Sequence, residues 1–564
     1  MNLFEYFESA VSAFAGFMWG PPLLILLLGG GIYFSFYSRF VPFKYFRHGV
    51  KILFGKYNDP NDPGEITHFQ ALTSALASTV GLGNISGVAI AIQMGGPGAL
   101  FWMWISAVVG MSTKFFSCTL AVLYRGKDDQ GNLQGGPMYY IENGLGEKFK
   151  PLSIMFSLAG LVGCTVMFQS NQLADIIRNQ IFIPNGWFDD NIMMGNFIQG
   201  LFMAILTALV IFGGIKRIGQ VASFMVPIMV ILYLLSGLLV IFNHITEIPS
   251  LFKLIVYDAF TGEAVMGGAV GAVIIAGVRR ALFSNEAGQG SSAIAHSAAK
   301  TDEPIREGVV AGLEPFIDTI VVCTMSALVI LVTGVWNRPA ESVITDYNFV
   351  QTTEEVTEAP DTKTTWQLST NIDSSIDEGQ RVFTIYRGRF NPESGNNFKK
   401  VYGTVEENNT VEWDEISFLD SPASPETPEL KDRSVYIDYV GATLTAAAFD
   451  KVVPGLGKWL VTLASWLFAI STMISWSYYG EKGVVFLVGE KGVILYKIGF
   501  CALAVLATSG FIETDAELNM FANLGTGFCI IANLPIIWLF GHQAMKEYKA
   551  YITKLNRGEF NTNN

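Results

Sequence analysis

Charge is scarce in this sequence. Asp, Glu, Lys and Arg make up only 15% of its 564 residues, against 51% hydrophobic and 13% aromatic, and the mean hydropathy is +0.38. That balance excludes an ordinary soluble domain. Catalytic signatures are missing as well: there is no G-x-S-x-G elbow, no H-E-x-x-H pair and no phosphate loop. Cysteine is sparse, and Cys118, Cys164, Cys323, Cys501 and Cys529 fall in separate apolar runs without C-x-x-C or Cys/His metal spacing. They read as small packing residues. At the amino terminus, MNLFEYFESAVSAFAGFMWGPP carries Glu5 and Glu8 where a secretory leader would be basic, so residues 1–18 read as an amphipathic lead-in.

What is present is apolar sequence in membrane-length runs. Stretches of the length needed to span, roughly 17–25 residues each, occur at 20–40, 71–94, 101–123, 152–176, 194–213, 221–242, 265–298, 308–334, 457–479, 493–511 and 518–541. This predicts eleven spans. Basic residues are held in the cytoplasm, and they cluster in alternate loops: Arg39 to Lys56, Arg125 to Lys150, Lys216 with Arg217, Lys300 with Arg306, Lys482 with Lys491, and the tail from Lys546 to Arg557. Outside the long loop after span 8, the opposite set holds only Arg178 and Lys253. The pattern predicts a multi-pass protein of the plasma (bacterial inner) membrane, with its N-terminus outside and its C-terminus cytoplasmic.

Residues 337–440 break the apolar pattern and carry eleven of the chain's thirteen net negative charges. The topology puts this loop outside the membrane, so its acidity speaks for solvation and gives no ground for a nucleic-acid partner. Runs such as RVFTIYRGRF, KKVYGTV, TVEWDEISF and SVYIDYV, divided by Pro, Gly, Asn and Asp, predict a small antiparallel β module.

Two spans are interrupted. LASTVGLGNISGVAIAIQMGGPGALFWMWI (76–105) holds Gly81, Gly83 and Gly87 in an apolar run, and GGAVGAVIIAGVRRALFSNEAGQGSSAIAHSAA (267–299) breaks at Ser284-Asn285-Glu286 with Gly288 and Gly290 behind. Glycine costs a helix interior about 1 kcal/mol relative to alanine. Gly83 and Gly87 have small-xxx-small spacing and could serve close helix packing alone, but Asn84, Asn285 and Glu286 beside the breaks are expensive in hydrocarbon and mark ion or substrate paths. Discontinuous helices in corresponding positions of two halves are the pointer to a mid-membrane site in inverted-repeat transporters. With span 1 as a prefix, spans 2–6 and 7–11 divide five and five, and the two broken helices run in opposite directions.

The residues themselves support a family reading. GGPGALFWMWISAVVG (95–110), QGGPMYYIENGLG (134–146), RRALFSNEAGQGS (279–291) and FAISTMISWSYYGEK (468–482) resemble the blocks of the alanine or glycine:cation symporters, the sodium:alanine symporter family. The resemblance covers about 20–335 and 456–548 and leaves out the insert. It implies an all-α polytopic membrane protein with a leucine-transporter-like five-plus-five inverted repeat, one extra N-terminal helix and an extracellular β-rich insert. The boundaries that follow are 1–42 for the lead-in and extra helix, 43–265 and 266–545 for the two repeats, 337–440 for the insert and 546–564 for the cytoplasmic tail.

The function implied is sodium-coupled symport of alanine or glycine, without catalysis and without a cofactor other than sodium as coupling ion. Similarity of TVGLGNI to the unwound helix of neurotransmitter:sodium symporters implies carbonyl ligands for sodium at Ala77 and Val80, with hydroxyls from Ser471 and Thr472 in FAIST, which suits a hard cation. For a zwitterionic substrate, backbone N–H groups at Gly81, Gly83 and Asn84 suit the carboxylate. Asn285, Gln169 and freed carbonyls near Leu282 and Phe283 suit the ammonium, and Trp466 is placed to close the pocket. At least one of Arg279 and Arg280 reads as an outer-gate residue, paired with Asp515 or Glu517. Lys114 reads as a snorkelling side chain and His296 as a polar residue near the inner end of its helix. Proton coupling on the same fold remains an alternative. So do an ion channel, against which the localised breaks argue, and an intramembrane protease using Ser291 or Ser292 with His296, whose side chains project from one helix and do not converge. Oligomeric state is not legible.

Overall fold

The computed structural model describes residues 19–188, 191–262, 270–353, 363–373, 376, 378–391, 396–406, 409–419, 428–439, 441–509 and 515–560. Among these, seven helices are long and apolar enough to cross a membrane: Ala99–Leu123, Glu147–Phe182, Ile192–Ile211, Gly214–Asn243, Pro304–Val332, Leu456–Val488 and Asn523–Asn556. The pair His68–Thr79 and Leu82–Gly95, bent by 42°, makes an eighth if counted as one span. The expectation of an all-α, leucine-transporter-like protein with eleven spans is therefore not met. Among the described residues, three of the apolar runs do not form helices of full span length. The first is a helix only over Pro21–Tyr37, the seventh stops at Asn285, and the tenth is helical only over Val493–Leu506. At 1.5 Å per residue, a 14-residue helix such as the last reaches about 21 Å, short of a hydrocarbon core of about 30 Å.

The elements that form the site are α1 (Pro21–Tyr37), α2 (His68–Thr79), α3 (Leu82–Gly95), α4 (Ala99–Leu123), α5 (Val270–Asn285), α6 (Ser292–His296), α7 (Pro304–Ala311), α8 (Leu456–Val488) and α9 (Asp515–Asn556). Helix α2 starts on a capping box, in which the Thr67 hydroxyl accepts from the Gln70 N–H and the Thr67 N–H donates to Gln70 Oε1. It ends where Val80 and Gly81 leave helical geometry, Gly81 being extended at φ −136° and ψ −164°. Helix α4 lies at the centre of the bundle and is buried along most of its length. Helix α5 gives way to a turn at Glu286, whose φ of +51° is left-handed, and glycine is needed at Gly288 and Gly290, where φ is +89° and +88°. One continuous apolar core joins these helices. Large side chains such as Phe224, Leu235, Phe242 and Leu495 point outward, as a lipid-facing surface requires.

The other departure from an all-α protein lies between the long helices. Strands β1 (Ser342–Thr353), β2 (Lys363–Ile372), β3 (Arg381–Asn391), β4 (Asn396–Val405), β5 (Thr410–Trp413), β6 (Ile416–Leu419), β7 (Glu429–Leu430) and β8 (Ser434–Ile437) pair antiparallel throughout. Six of them close on themselves in the order β8-β1-β2-β5-β4-β3, with Tyr436 opposite Phe383 and Ile437 opposite Val382 completing the ring. A six-stranded barrel results. It has its own core, built around Trp366, Leu368, Val382, Val401 and Trp413.

The two ends of the barrel segment leave and rejoin the bundle side by side. The Glu341 N–H donates to Val435 O at 3.0 Å and the Ile437 N–H to Glu341 Oε2 at 3.1 Å. Because the core is separate and the ends adjacent, replacing residues 340–437 by a short Gly/Ser bridge is expected to leave the bundle, and the uptake that the sequence resemblance implies for it, largely intact. Loss of uptake in a variant shown by surface labelling to be correctly inserted would make the barrel part of the transport machinery instead.

Candidate functional site

Two polar centres sit inside the bundle. The first gathers at the α2–α3 break. Asn84 accepts from the Gly81 N–H through Oδ1 at 2.9 Å, and its amide Nδ2 donates to Asp318 Oδ1 at 2.5 Å and to Ser284 Oγ at 3.1 Å. Asp318 Oδ2 accepts from Ser284 Oγ at 2.8 Å and from Thr319 Oγ1 at 2.7 Å. One buried carboxylate thus links the first broken helix, through Asn84, to the end of the second, through Ser284. Asn285 belongs to the same region, with Nδ2 donating to Thr319 Oγ1 at 3.2 Å and Oδ1 accepting from the Ala287 N–H at 3.0 Å.

The glycines of the break make room for side chains. A Cβ on Gly81 would stand 2.7 Å from Thr472 Oγ1, and one on Gly83 2.5 Å from Arg280 Nη2. A Cβ on Gly87 would collide with the body of the Arg280 guanidinium. Arg280 lies over the Phe283 ring at 5.0 Å, and Phe283 in turn meets Phe168 edge-on at 5.8 Å. Its Nε and Nη2 are buried and have no hydrogen-bond partner among the described residues. Gln169, adjacent to Phe168, is also buried, and its Oε1 has no partner either. Buried polar atoms are ordinarily satisfied, and each exception calls for an explanation.

The remaining expected residues are placed as follows. Ala77 and Val80 are buried, and the Val80 N–H donates to Leu76 O at 2.7 Å. The hydroxyls of Ser471 and Thr472 each donate to Phe468 O at 2.9 Å, which leaves their lone pairs available to a cation. Leu282 O accepts from the Glu286 N–H at 2.9 Å. Trp466 packs edge-on against Phe202, itself an exposed side chain, so its described ring contact is with the outer surface. Arg279 donates through Nε to Trp19 O at 2.6 Å. The pairing expected of Arg279 or Arg280 with Asp515 or Glu517 involves side chains outside the described residues.

The second centre was not anticipated from the sequence. Lys114 does not snorkel: it is buried in α4, with Nζ 2.5 Å from Glu314 Oε1 and donating to Ser292 Oγ at 2.6 Å, while Ser292 donates to Glu314 Oε1 at 3.1 Å. His296 is fully buried, and its Nδ1 donates to Glu307 Oε2 at 2.5 Å. The other Glu307 oxygen accepts from Nδ1 of His68 at the start of α2. Nearby, Glu286 accepts from Ser291 and from Trp476 Nε1, the latter at 3.0 Å. Neither Ser291 nor Ser292 is paired with His296, so no protease dyad forms. Breaking a buried ion pair from one side typically costs 3–5 kcal/mol, and Lys114 with Glu314 is such a pair.

A legible signal did exist for part of this. In LEPFIDT (313–319), Glu314 and Asp318 stand four residues apart in an apolar run and thus share a helix face, where ionisable residues mark function.

A bundle of apolar helices, one broken at a buried polar centre, is the architecture of a multi-pass membrane transporter, and the comparisons with known proteins place it more closely. Residues 4–359 and 431–564 match the sodium:alanine symporter family, and the chain belongs to that family. The match omits the middle of the barrel. The chain is 34% identical to the sodium/alanine symporter AgcS of Methanococcus maripaludis over 97% of each protein. It is 29% identical to the putative sodium/proton-dependent alanine carrier protein YrbD of Bacillus subtilis over 97% of this chain and 93% of that one. To the probable sodium/glutamine symporter GlnT of the same organism it is 36% identical over 60% of this chain and 69% of that one. The protein is thus an amino acid symporter coupled to a cation, a transporter and not an enzyme.

Proposed function

We propose that this symporter uses sodium to drive a small neutral amino acid, alanine or glycine, across the plasma membrane into the cell, with its N-terminus outside and its C-terminus in the cytoplasm. The observation that carries the sodium reading is the approach of the α2–α3 break to α8, so close at Gly81 that only 2.7 Å would separate a Cβ from Thr472 Oγ1. Carbonyls of Ala77 and Val80 from the break, with the Ser471 and Thr472 hydroxyls, make an oxygen set suited to a hard monovalent ion that must also leave. Basic residues in alternate loops support the orientation.

Substrate recognition follows from the two unsatisfied groups. Arg280 presents buried donors to a carboxylate beside Gly83 and Gly87, and Gln169 Oε1 presents an acceptor to an ammonium. An amino-acid zwitterion carries both complements. Two relatives are named for alanine and one for glutamine, so competition among alanine, glycine, serine and glutamine is the direct test of side-chain size. For the ion, Ser471→Ala combined with Thr472→Ala removes two oxygen ligands. It is expected to raise the sodium concentration for half-maximal uptake severalfold in proteoliposomes, and an unchanged sodium curve would defeat the assignment.

A further inference from the structure

The second polar centre is not needed by the reading above, and its hydrogen bonds restrict its protonation. Ionised Glu307 is an acceptor only, so the two imidazole nitrogens bonded to it, Nδ1 of His68 and Nδ1 of His296, must both carry hydrogen. In each neutral ring Nε2 is then the free base. Both Nε2 atoms are buried without a hydrogen-bond partner among the described residues. Glu314 Oε2 is unpartnered in the same sense and stands 3.9 Å from His296 Nε2, too far for a hydrogen bond and close enough to form one after a small shift. With Lys114 charged, both glutamates ionised and both histidines neutral, the five groups together carry one excess negative charge. A low-dielectric interior penalises that excess, and one added proton removes it.

We infer that His68, Glu307, His296, Glu314 and Lys114 form an intramembrane site for a single proton, whose occupancy sets the rate of the sodium-driven cycle. The proton is held on an imidazole Nε2, against Glu314 when it sits on His296. The site bridges α2, α4, α6, α7 and the stretch at Glu314, so it joins the inner end of the first broken helix to the segment that follows the second break. Loading it draws these elements together through a charged His296–Glu314 contact. Unloading releases one of the ties between them.

Other ionisable groups face the site. They are Glu286 in the turn after α5, Asp318 four residues beyond Glu314, Cys118 on α4, Tyr479 on α8, and, toward the loops, Asp62 and Arg125. Arg125 is fastened to the backbone carbonyls of Ser297, Ala299 and Thr301. The proton enters from this loop side, where His68 begins its helix.

The test is amino-acid exchange in proteoliposomes at saturating sodium and alanine, with equal pH on both sides, scanned from about pH 5.5 to 9. The wild type is expected to change rate about tenfold across one proton-dependent step, and His296→Gln and His68→Gln to flatten it while keeping sodium and alanine affinity. Profiles of both variants that superimpose on the wild type would overturn the proposal. So would uptake driven by a proton gradient without sodium, since that makes the proton a driving ion and not a rate-setting ligand. Should the variants not fold, 15N-labelled histidine in the wild type, which has five histidines, reads the site directly. One titration shared by two imidazoles supports it, and two buried rings that stay neutral throughout refute it. These readouts are taken at saturating sodium, so a failed sodium-site assignment leaves them interpretable.

Discussion

Gly87→Ala is expected to weaken alanine binding by at least about tenfold while leaving the protein folded. The added methyl falls on the Arg280 guanidinium, the far end of a flexible side chain, so the clash is relieved by moving that group and costs the fold little. In isolation the substitution even favours helix by up to about 1 kcal/mol. What is lost is the position of the guanidinium. A hydrogen bond to a charged group contributes about 1.5–3 kcal/mol, so losing it corresponds to roughly a tenfold to hundredfold fall in affinity. Gly83→Ala, which crowds only Arg280 Nη2, is expected to act in the same direction less strongly. Gly81→Ala touches Thr472 instead and is expected to shift the sodium curve more than the alanine curve.

A packing role for these glycines makes the opposite forecast, and the molecule supplies its own control. Gly525 on α9 lies against the backbone of Gly163, and a Cβ there would strike the Gly163 N atom with no side chain able to yield. Gly525→Ala is therefore expected to lower thermal stability, by about 1–3 kcal/mol for an overpacked contact, and to spare affinity in the fraction that folds. Measuring Tm and alanine Kd on Gly87→Ala and Gly525→Ala separates the readings. Retained affinity with lowered Tm in Gly87→Ala would refute the binding role.

Asp318→Asn is expected to eliminate sodium-driven uptake, by more than tenfold, with a measurable loss of stability. Asp318 accepts from Asn84, Ser284 and Thr319. An asparagine keeps the shape but turns one acceptor oxygen into a donor, so either the Ser284 and Thr319 hydroxyls must turn round to accept or the Asn84 amide faces a donor it cannot bond. Each bond to the charged form contributes about 1.5–3 kcal/mol, and the link between the two broken helices weakens accordingly. Negative charge near Arg280 disappears at the same time, which leaves a buried cation less compensated. Asp318→Glu restores the charge but pushes it about one methylene further, so rescue is expected to be partial at most. Uptake at the wild-type rate in Asp318→Asn, with wild-type sodium dependence, would show that the carboxylate is dispensable.

How much of this was legible in the sequence depends on distance along the chain. The α2–α3 break was legible because glycines and Asn84 interrupt an apolar run within a few residues. Asp318 escaped because its partners Asn84 and Ser284 stand 234 and 34 residues away, and its spacing from Glu314 marks a polar helix face without saying who answers it. Lys114 was misread for the same reason: snorkelling is a sound inference for a lysine near a helix end, until Glu314 arrives from another helix to hold it inside. The span count failed because apolar length is not helix length. In the seventh run, α5 ends at Asn285 and a turn with two left-handed glycines follows. Alternation within the strands showed β structure, but the closure of the sheet rests on β3 meeting β8, a pairing between residues some fifty positions apart that local pattern does not encode.

The adjacency of the barrel's two ends bears on how the chain is made. About a hundred residues separate the helix ending at Val332 from the one starting at Ala442, and an unstructured tether of that length resists the meeting of its flanks by an entropic term that grows by about 0.6 kcal/mol per doubling. Once the barrel has folded, Glu341 and Ile437 are hydrogen-bonded, and the tether behaves as a short hairpin. A module that folds early would thus shorten the search of the later helices for the earlier ones during biogenesis. On this view its first effect is on the yield of assembled protein.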